Sequence, residues 1–412
     1  MPVDQLFFTI FVVLVGAKLL AKLFHRIKQP PLVGELLAGI ILGPSLLGLI
    51  APSQDTAILS NLSVFFLMFL AGLSINPREL TQAGRKAIII SVFSFAIPFV
   101  SGAWVSTLFG LDQTRSWFMG LLLSITAVPV SAIILMQLGV LKTRLGTTVM
   151  TAAVINDILS LIVLSYLLQI AGGTHHVDSV ALWMLSINIG LFIGGVLLLD
   201  VIFTSPRARI QERLTQVFRR FHTREAGFGL VIIGAVGLSL IAEYIGLHFI
   251  IGTFFAGLIV YKEIIGKANF DKVYGIVSGI TFGFFAPLFF GLIGVAFRAQ
   301  LLAGFVPLFA GLLAVAVSAK IGGGYLGARI AGFPREAGLA IGFLMNGRGV
   351  VQLAIAAIGY SAGIIDLTLF TIAVAVGVST TVIAPMTAAP LVARAKAKGI
   401  PARQAEEQSS ER

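Results

Sequence analysis

The segment GTTVMTAAVINDILSLIVLSYLLQIA, residues 146–171, decides the fold, because it is apolar enough to cross a bilayer and yet contains Asp157. About 20 apolar residues in a helix span ~30 Å of hydrocarbon, and segments of this kind recur from one end of the chain to the other. A carboxylate inside one of them costs at least ~2.5–3.5 kcal/mol, so it needs a partner or a function. The sequence therefore predicts an all-α polytopic membrane protein with a functional acid.

Composition supports this class. The 412 residues are 57% hydrophobic and 11% charged, with a mean hydropathy of +0.99, whereas soluble domains are about 25% charged. The chain has no cysteine, which excludes disulfide bonds and thiolate metal sites. Asp4 precedes the first apolar segment, and Lys18, Lys22 and Arg26 lie towards or beyond its end. This charge order is opposite to that of a secretory signal, so we expect a retained first helix.

Polar and Gly/Pro-rich joints divide the chain into thirteen candidate spans. The joint between spans eight and nine, around Tyr244–Gly246, is the least distinct of these. The predicted limits are 4–24, 31–50, 57–74, 87–109, 115–139, 146–171, 179–203, 226–244, 247–261, 273–296, 300–328, 337–361 and 366–391.

The basic residues predict the topology. With the N-terminus outside and the C-terminus in the cytoplasm, only Arg115 and Arg298 of the 29 Lys and Arg residues fall on the outer side. Lys320 and Arg348 lie deep within spans. Such a bias is what the positive-inside rule predicts, and one miscounted span would reverse every later loop. The net charge of +11 is thus explained by topology, and we expect no nucleic-acid partner.

The order of the spans predicts an inverted repeat, because six spans precede span seven and six follow it. Residues 1–203 would hold the first repeat with the linking span, and residues 225–392 the second. Between them, residues 204–224 form a basic connector with apolar residues at helical spacing, suited to lying on lipid headgroups. Residues 393–412 form a short cytoplasmic tail. Two sequence echoes support the repeat: Gly34…Leu37-Ala38-Gly39-Ile40 against Gly252…Phe255-Ala256-Gly257-Leu258, and Phe65–Leu73 against Phe284–Leu292.

Corresponding spans of the two halves are interrupted near mid-membrane. Span five contains Thr126-Ala127-Val128-Pro129-Val130-Ser131, and span twelve contains Asn346-Gly347-Arg348-Gly349. Proline removes a helical donor and glycine permits unwound backbone. Broken helices persist at bilayer depth only around a cavity or inside protein, and their ends direct partial charges at a bound ion. Proline kinks and packing glycines alone are the alternative.

Three charges lie within the spans: Asp157, Lys320 and Arg348. A carboxylate in this environment can hold a proton or a cation but not both, and that competition is what an exchanger requires. The alternative for Asp157 is a structural ion pair with Lys320 or Arg348. Glu35, which follows Pro30-Pro31 at the start of span two, is a further candidate because a helix N-terminus favours an acid.

The sequence resembles the monovalent cation:proton antiporters, in the branch of bacterial Na⁺/H⁺ antiporters and the membrane domain of Kef-type potassium systems. The resemblance covers residues 5–392. It depends on the segments Gly34-Glu35-Leu36-Leu37-Ala38-Gly39 through Gly43-Pro44, Phe69-Leu70-Ala71-Gly72-Leu73, Asn156-Asp157, Lys320, Arg348-Gly349 and Thr380-Thr381.

This resemblance implies a thirteen-helix fold in which a six-helix core moves against a dimerisation domain, in a homodimer of a prokaryotic inner membrane. Spans five and twelve would be the crossed, unwound pair. Asp157 would bind Na⁺, K⁺ or Li⁺ in competition with H⁺, with Asn156 beside the ion and Thr126 lining the site. Lys320 would stand opposite Asp157, with Arg348 as a second charge partner and Ser131 as a further polar residue near the break. No cofactor is implied.

Three departures from the family pattern bear on mechanism. Electrogenic members have two adjacent acids where this chain has Asn156, which favours 1:1 exchange, although Lys320 is typical of the electrogenic members. Ser74 and Gln352 stand where many members have acids, which weakens the case for a second ion site. A gated cation channel, a carrier of small organic anions and a receptor or structural anchor are the alternatives to an antiporter. The sequence does not distinguish Na⁺ from K⁺ or Li⁺.

Overall fold

The computed structural model describes residues 3–27, 29–75, 77–126, 131–132, 135, 140–141, 143–172, 179–204, 224–260 and 265–397. In this part of the chain all regular structure is helical, in sixteen α-helices and one π-helical turn. In chain order they are α1 Val3–Arg26, α2 Pro31–Leu42, α3 Gln54–Leu73, α4 Pro77–Leu108, α5 Gln113–Ser124, α6 Arg144–Gly172, α7 Ser179–Thr204, α8 Arg224–Tyr244, α9 Phe249–Ile259, α10 Lys267–Ile280, the π turn Thr281–Phe285, α11 Ala286–Ala296, α12 Ala299–Gly304, α13 Val306–Ile330, α14 Arg335–Leu344, α15 Val350–Ser361 and α16 Leu367–Ala397.

Every predicted span overlaps at least one of these helices. Within the described residues, eight helices are long and apolar enough to cross a membrane, and four shorter helices are also apolar. The count of thirteen crossings stays a prediction. The basic connector at 205–223, the tail from 398 and residues 127–130 of the span-five interruption lie outside the described residues.

Two predicted boundaries differ from the structure. Span two was predicted to reach residue 50, but α2 ends at Leu42, because Gly43 is extended and Pro44 cannot donate to a helical carbonyl group. Span eleven was predicted to start at 300, but the short helix α12 precedes α13, which begins at Val306 with Pro307 in its first turn. Hydropathy does not detect either boundary, since apolar residues continue on both sides of it.

Two of the long helices are not regular throughout. Gly84 has φ 55° and ψ −152° inside α4, so the first turns of α4 are kinked away from the apolar part that follows. Between α10 and α11 the helix widens into the π turn, whose Thr281 hydroxyl is buried without a hydrogen-bond partner. Such a turn accommodates an extra residue in a helix and often occurs near functional sites.

Glycine contacts support the inverted repeat. A Cβ at Gly34 in α2 would lie 2.5 Å from the carbonyl oxygen of Leu20 in α1, and a Cβ at Gly252 in α9 would lie 2.5 Å from that of Leu238 in α8. In each half, therefore, the second predicted span crosses the first with backbone against backbone. The glycines that the sequence echo pairs thus make equivalent contacts, which chance similarity between apolar segments does not predict.

The chain divides into two compact units. One comprises Met1–Leu14, Pro52–Pro77 and Gly172–Leu292, and its core includes Phe69, Leu73, Ala235 and Val277. The other comprises Val15–Ala51, Arg78–Ala171 and Ile293–Arg412, with a core drawn from α4, α6, α13, α14 and α16. Each unit takes segments from both predicted repeats, and the second unit contains all the buried charges near Asp157.

Candidate ion-binding site

The acid at the centre of the site lies on an uninterrupted helix. Asp157 in α6 is 3% exposed, and its Oδ1 atom is buried without a hydrogen-bond partner. An unsatisfied buried oxygen costs ~1–3 kcal/mol, and more when it is charged. A group of this kind in a native structure needs an explanation, such as an ion or proton that binds there during function.

Asn156 organises the polar network beside this acid. Its Oδ1 accepts a hydrogen bond from Ser91 Oγ at 2.5 Å, and its Nδ2 donates to Ser94 Oγ and to Thr126 Oγ1, both at 3.1 Å. All five side chains, including that of Asp157, are buried. Sequence reasoning expected Asn156 and Thr126 near the ion but missed Ser91 and Ser94. The only signal for them is a pair of hydroxyls three residues apart on one face of an apolar helix.

The interruptions of spans five and twelve meet. α5 ends at Ser124, and the next span-five hydroxyl, Thr126, donates to the carbonyl oxygen of Met345 at 3.2 Å. Ser131 donates to the carbonyl oxygen of Leu344 at 2.8 Å. Both acceptors lie at the C-terminal end of α14, where helical carbonyl groups have no helical partner. The structure therefore contains the predicted pair of broken helices. Span twelve is broken between α14 and α15, and the described part of span five is broken after α5.

Lys320 and Arg348 bind the C-terminal end of α5. Lys320 Nζ donates to the carbonyl oxygens of Ser94, at 3.0 Å, and of Ser124. Arg348 donates to those of Leu122, at 3.3 Å, and Leu123, at 2.6 Å. A third bond from Arg348 reaches the Ala316 carbonyl oxygen at 3.1 Å. A helix C-terminus carries a partial negative charge and several unpaired carbonyl groups, so two cations stabilise it inside the protein.

These contacts argue against a structural ion pair of Asp157. Among the described residues, no nitrogen atom of Lys320 or Arg348 lies within 4.0 Å of an Asp157 carboxylate oxygen. The direct partners of Lys320 are backbone carbonyl groups, and one of them belongs to Ser94, whose hydroxyl also accepts a hydrogen bond from Asn156.

The remaining residues that the sequence singled out have different surroundings. Gln352 is buried in the first turn of α15, where its Nε2 donates to the Ala373 carbonyl oxygen at 3.4 Å and its Oε1 has no partner. Thr381 fixes the break itself by donating to the carbonyl oxygen of Arg348 at 2.7 Å. Glu35 is buried in α2, and in the described structure no hydrogen bond joins it to the residues around Asp157.

The donor set suits a monovalent cation or a proton. Within the described residues there is no group of three or more His, Cys, Asp or Glu side chains that could hold a multivalent metal ion. One carboxylate provides a single negative charge, which one monovalent cation or one proton neutralises. The surrounding neutral oxygens of hydroxyl, amide and backbone carbonyl groups can replace the hydration shell of such a cation.

Comparison with known proteins places this arrangement in a family. The model of the transmembrane sodium/hydrogen exchanger family matches residues 10–394, nearly the whole chain. The chain belongs to the sodium/hydrogen exchanger family. The monovalent cation:proton antiporter resemblance noted from the motifs is thereby confirmed.

Individual members of the sodium/hydrogen exchanger family match over most of their length. The chain is 31% identical to the Na⁺/H⁺-K⁺ antiporter GerN of Bacillus cereus over 92% of this chain and 95% of that protein. It is 32% identical to the Na⁺/H⁺ antiporter NhaS4 of Synechocystis over 90% and 93%. The solved structure of the sodium proton antiporter MjNhaP1 from Methanocaldococcus jannaschii aligns with a TM-score of 0.74 at 18% identity, covering 96% and 98% of the two chains, and so shows the same fold.

Proposed function

We propose that this protein is a secondary antiporter that exchanges a monovalent cation for a proton, with Asp157 as the residue that binds both. The observation that carries the proposal is the buried, unpartnered Oδ1 of Asp157 beside two broken helices. A structural acid would have a paired oxygen at this depth. An acid that alternates between a proton and a cation must be free to accept either.

Competition at one carboxylate couples the two fluxes. Proton binding neutralises Asp157 and expels the cation, and cation binding expels the proton, so the site crosses the membrane with one or the other. Alternating access then exposes the loaded site to each side in turn. Since position 156 is Asn and its side chain is fully engaged with hydroxyl groups, one charge is available per cycle and exchange is 1:1.

Na⁺ is the cation that we propose first, with K⁺ and Li⁺ as further substrates. The names of the relatives support this order, because GerN is a Na⁺/H⁺-K⁺ antiporter and NhaS4 a Na⁺/H⁺ antiporter. A single acid among neutral oxygens accommodates all three ions, and their ranking depends on ligand number and placement.

The setting of the protein is part of the same proposal. We place it in a prokaryotic inner membrane with the N-terminus outside and the C-terminus in the cytoplasm, on the distribution of Lys and Arg. A homodimer in contact with membrane lipid follows from the family resemblance. The proposed activity is transport rather than catalysis of a covalent reaction, and it needs no cofactor.

Two alternatives make different predictions. A gated cation channel needs a continuous polar path, whereas the hydrogen bonds beside Asp157 form one local network of Ser91, Ser94, Thr126 and Asn156. A carrier of organic anions needs several free donors for the anion, whereas Lys320 and Arg348 already donate to carbonyl groups, and of their nitrogen atoms only Nε of Arg348 has no partner. The unpartnered acid favours a cation over an anion at this site.

Proton flux in proteoliposomes tests the proposal. The wild-type protein is reconstituted with a lumenal pH dye, Na⁺, K⁺ or Li⁺ is added outside, and the membrane potential is clamped at zero and then set. Asp157→Asn keeps the size of the side chain but removes its charge. Asp112→Asn is the matched control, because exposed Asp112 caps α5 and Asn is an equally good N-cap.

We expect cation-driven proton flux in the wild type and in Asp112→Asn, and none above empty vesicles in Asp157→Asn. A wild-type rate that does not depend on potential would support 1:1 exchange. Vesicles that contain folded wild-type protein but show no cation-driven proton movement would refute the antiporter. Full exchange in Asp157→Asn would refute only the role of Asp157, and the antiporter would stand.

A further inference from the structure

A second unpartnered side chain lies at the break of span twelve. Asn346 is 0% exposed, and both its Nδ2 and its Oδ1 are buried without a hydrogen-bond partner. Among the residues that the structure describes, it is the one with two such atoms in its side chain. Each such atom costs ~1–3 kcal/mol, so a carboxamide with no bonds is a strong exception to the rule that buried polar groups are paired.

The backbone connects Asn346 to the network around Asp157. The carbonyl group of the preceding residue, Met345, accepts the hydrogen bond from Thr126, which in turn accepts one from Asn156. Asn346 itself lies between the end of α14 and the start of α15, in the non-helical segment of span twelve. Two successive hydrogen bonds thus link its peptide segment to the residue next to the ion-binding acid.

The nearby cations leave the carboxamide oxygen of Asn346 unused. Arg348 follows two residues later, but its hydrogen bonds go to the carbonyl groups of Leu122, Leu123 and Ala316, and Lys320 likewise donates to backbone carbonyl groups. No donor among the described residues satisfies Asn346 Oδ1. A dehydrated monovalent cation is a ligand that such an oxygen would take, since Oδ1 of Asp157, beside the network to which this segment is linked, is also unpaired and belongs to a carboxylate.

We infer that Asn346 is a neutral ligand of the transported cation and helps to determine cation affinity, while Asp157 supplies the charge. This inference rests on the proposed exchange of a monovalent cation for a proton. An amide does not titrate in the physiological range, so Asn346 contributes to cation binding and not to proton binding. The cation and the proton thus share Asp157, whereas Asn346 binds the cation alone.

The substitution Asn346→Leu separates this role from a structural one. Leucine has a similar volume and no polar atoms, so it removes two unsatisfied buried groups and should raise the melting temperature of the cation-free protein. The same change should raise the KM for Na⁺ or K⁺ at least tenfold. The pH dependence of exchange at saturating cation should stay as in the wild type.

Asn188→Leu is the matched control. Asn188 is half-buried in α7 and donates to the Ile245 carbonyl oxygen at 2.8 Å, so leucine there removes a made hydrogen bond. We expect Asn188→Leu to lower the melting temperature and to leave the cation KM unchanged. The two variants therefore shift the melting temperature in opposite directions, and only Asn346→Leu changes the cation KM.

The measurements are the melting temperature in detergent, with and without Na⁺, and the cation KM in proteoliposomes. Higher stability without cation, together with a raised KM, supports the inference. If Asn346→Leu fails to fold, is less stable without cation, or has an unchanged KM beside active wild-type protein, the inference is wrong while the antiporter stands. Wild-type vesicles without any exchange would overturn the proposed function and this inference together.

Discussion

Arg348→Lys tests whether the end of α5 is held by the guanidinium group rather than by charge alone. Arg348 is fully buried and makes three hydrogen bonds to backbone carbonyl groups of two separate segments. Lysine keeps the positive charge but presents a compact ammonium group instead of a planar fork. It can reach the carbonyl groups of one segment and not those of both.

The magnitude follows from the bonds that are lost. A hydrogen bond from a charged donor contributes ~1.5–3 kcal/mol, so losing the one or two bonds to the other segment costs roughly 1.5–6 kcal/mol. One kcal/mol shifts the melting temperature of domains of 150–250 residues by about 2–4 °C, so we expect a fall of at least ~3 °C. Exchange should slow in parallel, because the end of α5 borders the network of Asn156.

The assay is thermal unfolding of detergent-purified protein, followed by size-exclusion chromatography after heating. Arg115→Lys is the control, since Arg115 forms an exposed ion pair with Asp112 at 3.2 Å and such pairs contribute ~0–1 kcal/mol. Equal melting temperatures for Arg348→Lys and Arg115→Lys would refute the reasoning. The carbonyl bonds of Arg348 would then contribute nothing that a lysine does not replace.

Three further substitutions test other parts of the structure. Asn156→Asp adds a second acid beside the first, so exchange should become dependent on membrane potential in clamped vesicles. An exchange rate that stays independent of potential, as expected for the wild type, would contradict the 1:1 mechanism. Thr126→Val keeps the side-chain shape but removes one accepted and one donated hydrogen bond. A loss of ~1 kcal/mol of cation-binding free energy should slow exchange at low Na⁺ roughly fivefold. An unchanged rate would exclude Thr126 from the site. Gly34→Ala places a Cβ 2.5 Å from a backbone oxygen and should destabilise the protein by ~1–3 kcal/mol in thermal unfolding. Gly279→Ala is the control, because a Cβ there has nothing within 4 Å and should not destabilise the protein. Equal melting temperatures for the two variants would argue against the close helix crossing.

Sequence alone was sufficient for the features that belong to single segments. The helices α1, α6 and α7 begin and end within a few residues of the predicted spans, because hydropathy is a property of each segment and does not depend on its neighbours. Asp157 was selected as a candidate in the same way, since a carboxylate among apolar residues is costly wherever the helix packs. The family could be named because the order of several short motifs is itself a property of the sequence.

The tertiary structure decided which groups meet. Sequence placed Lys320 and Arg348 in the membrane but left open whether they pair with Asp157, and the structure directs both to the carbonyl groups at the end of α5. Those acceptors exist only because α5 stops at Ser124, and they are reached only because α13 and the break before α15 lie beside it. Ser91, Ser94 and Asn346 gained their significance in the same way. Whether a polar group has a hydrogen-bond partner depends on residues that lie tens or hundreds of positions away in the chain. Residue type and local pattern do not show which of those residues come close to it in space.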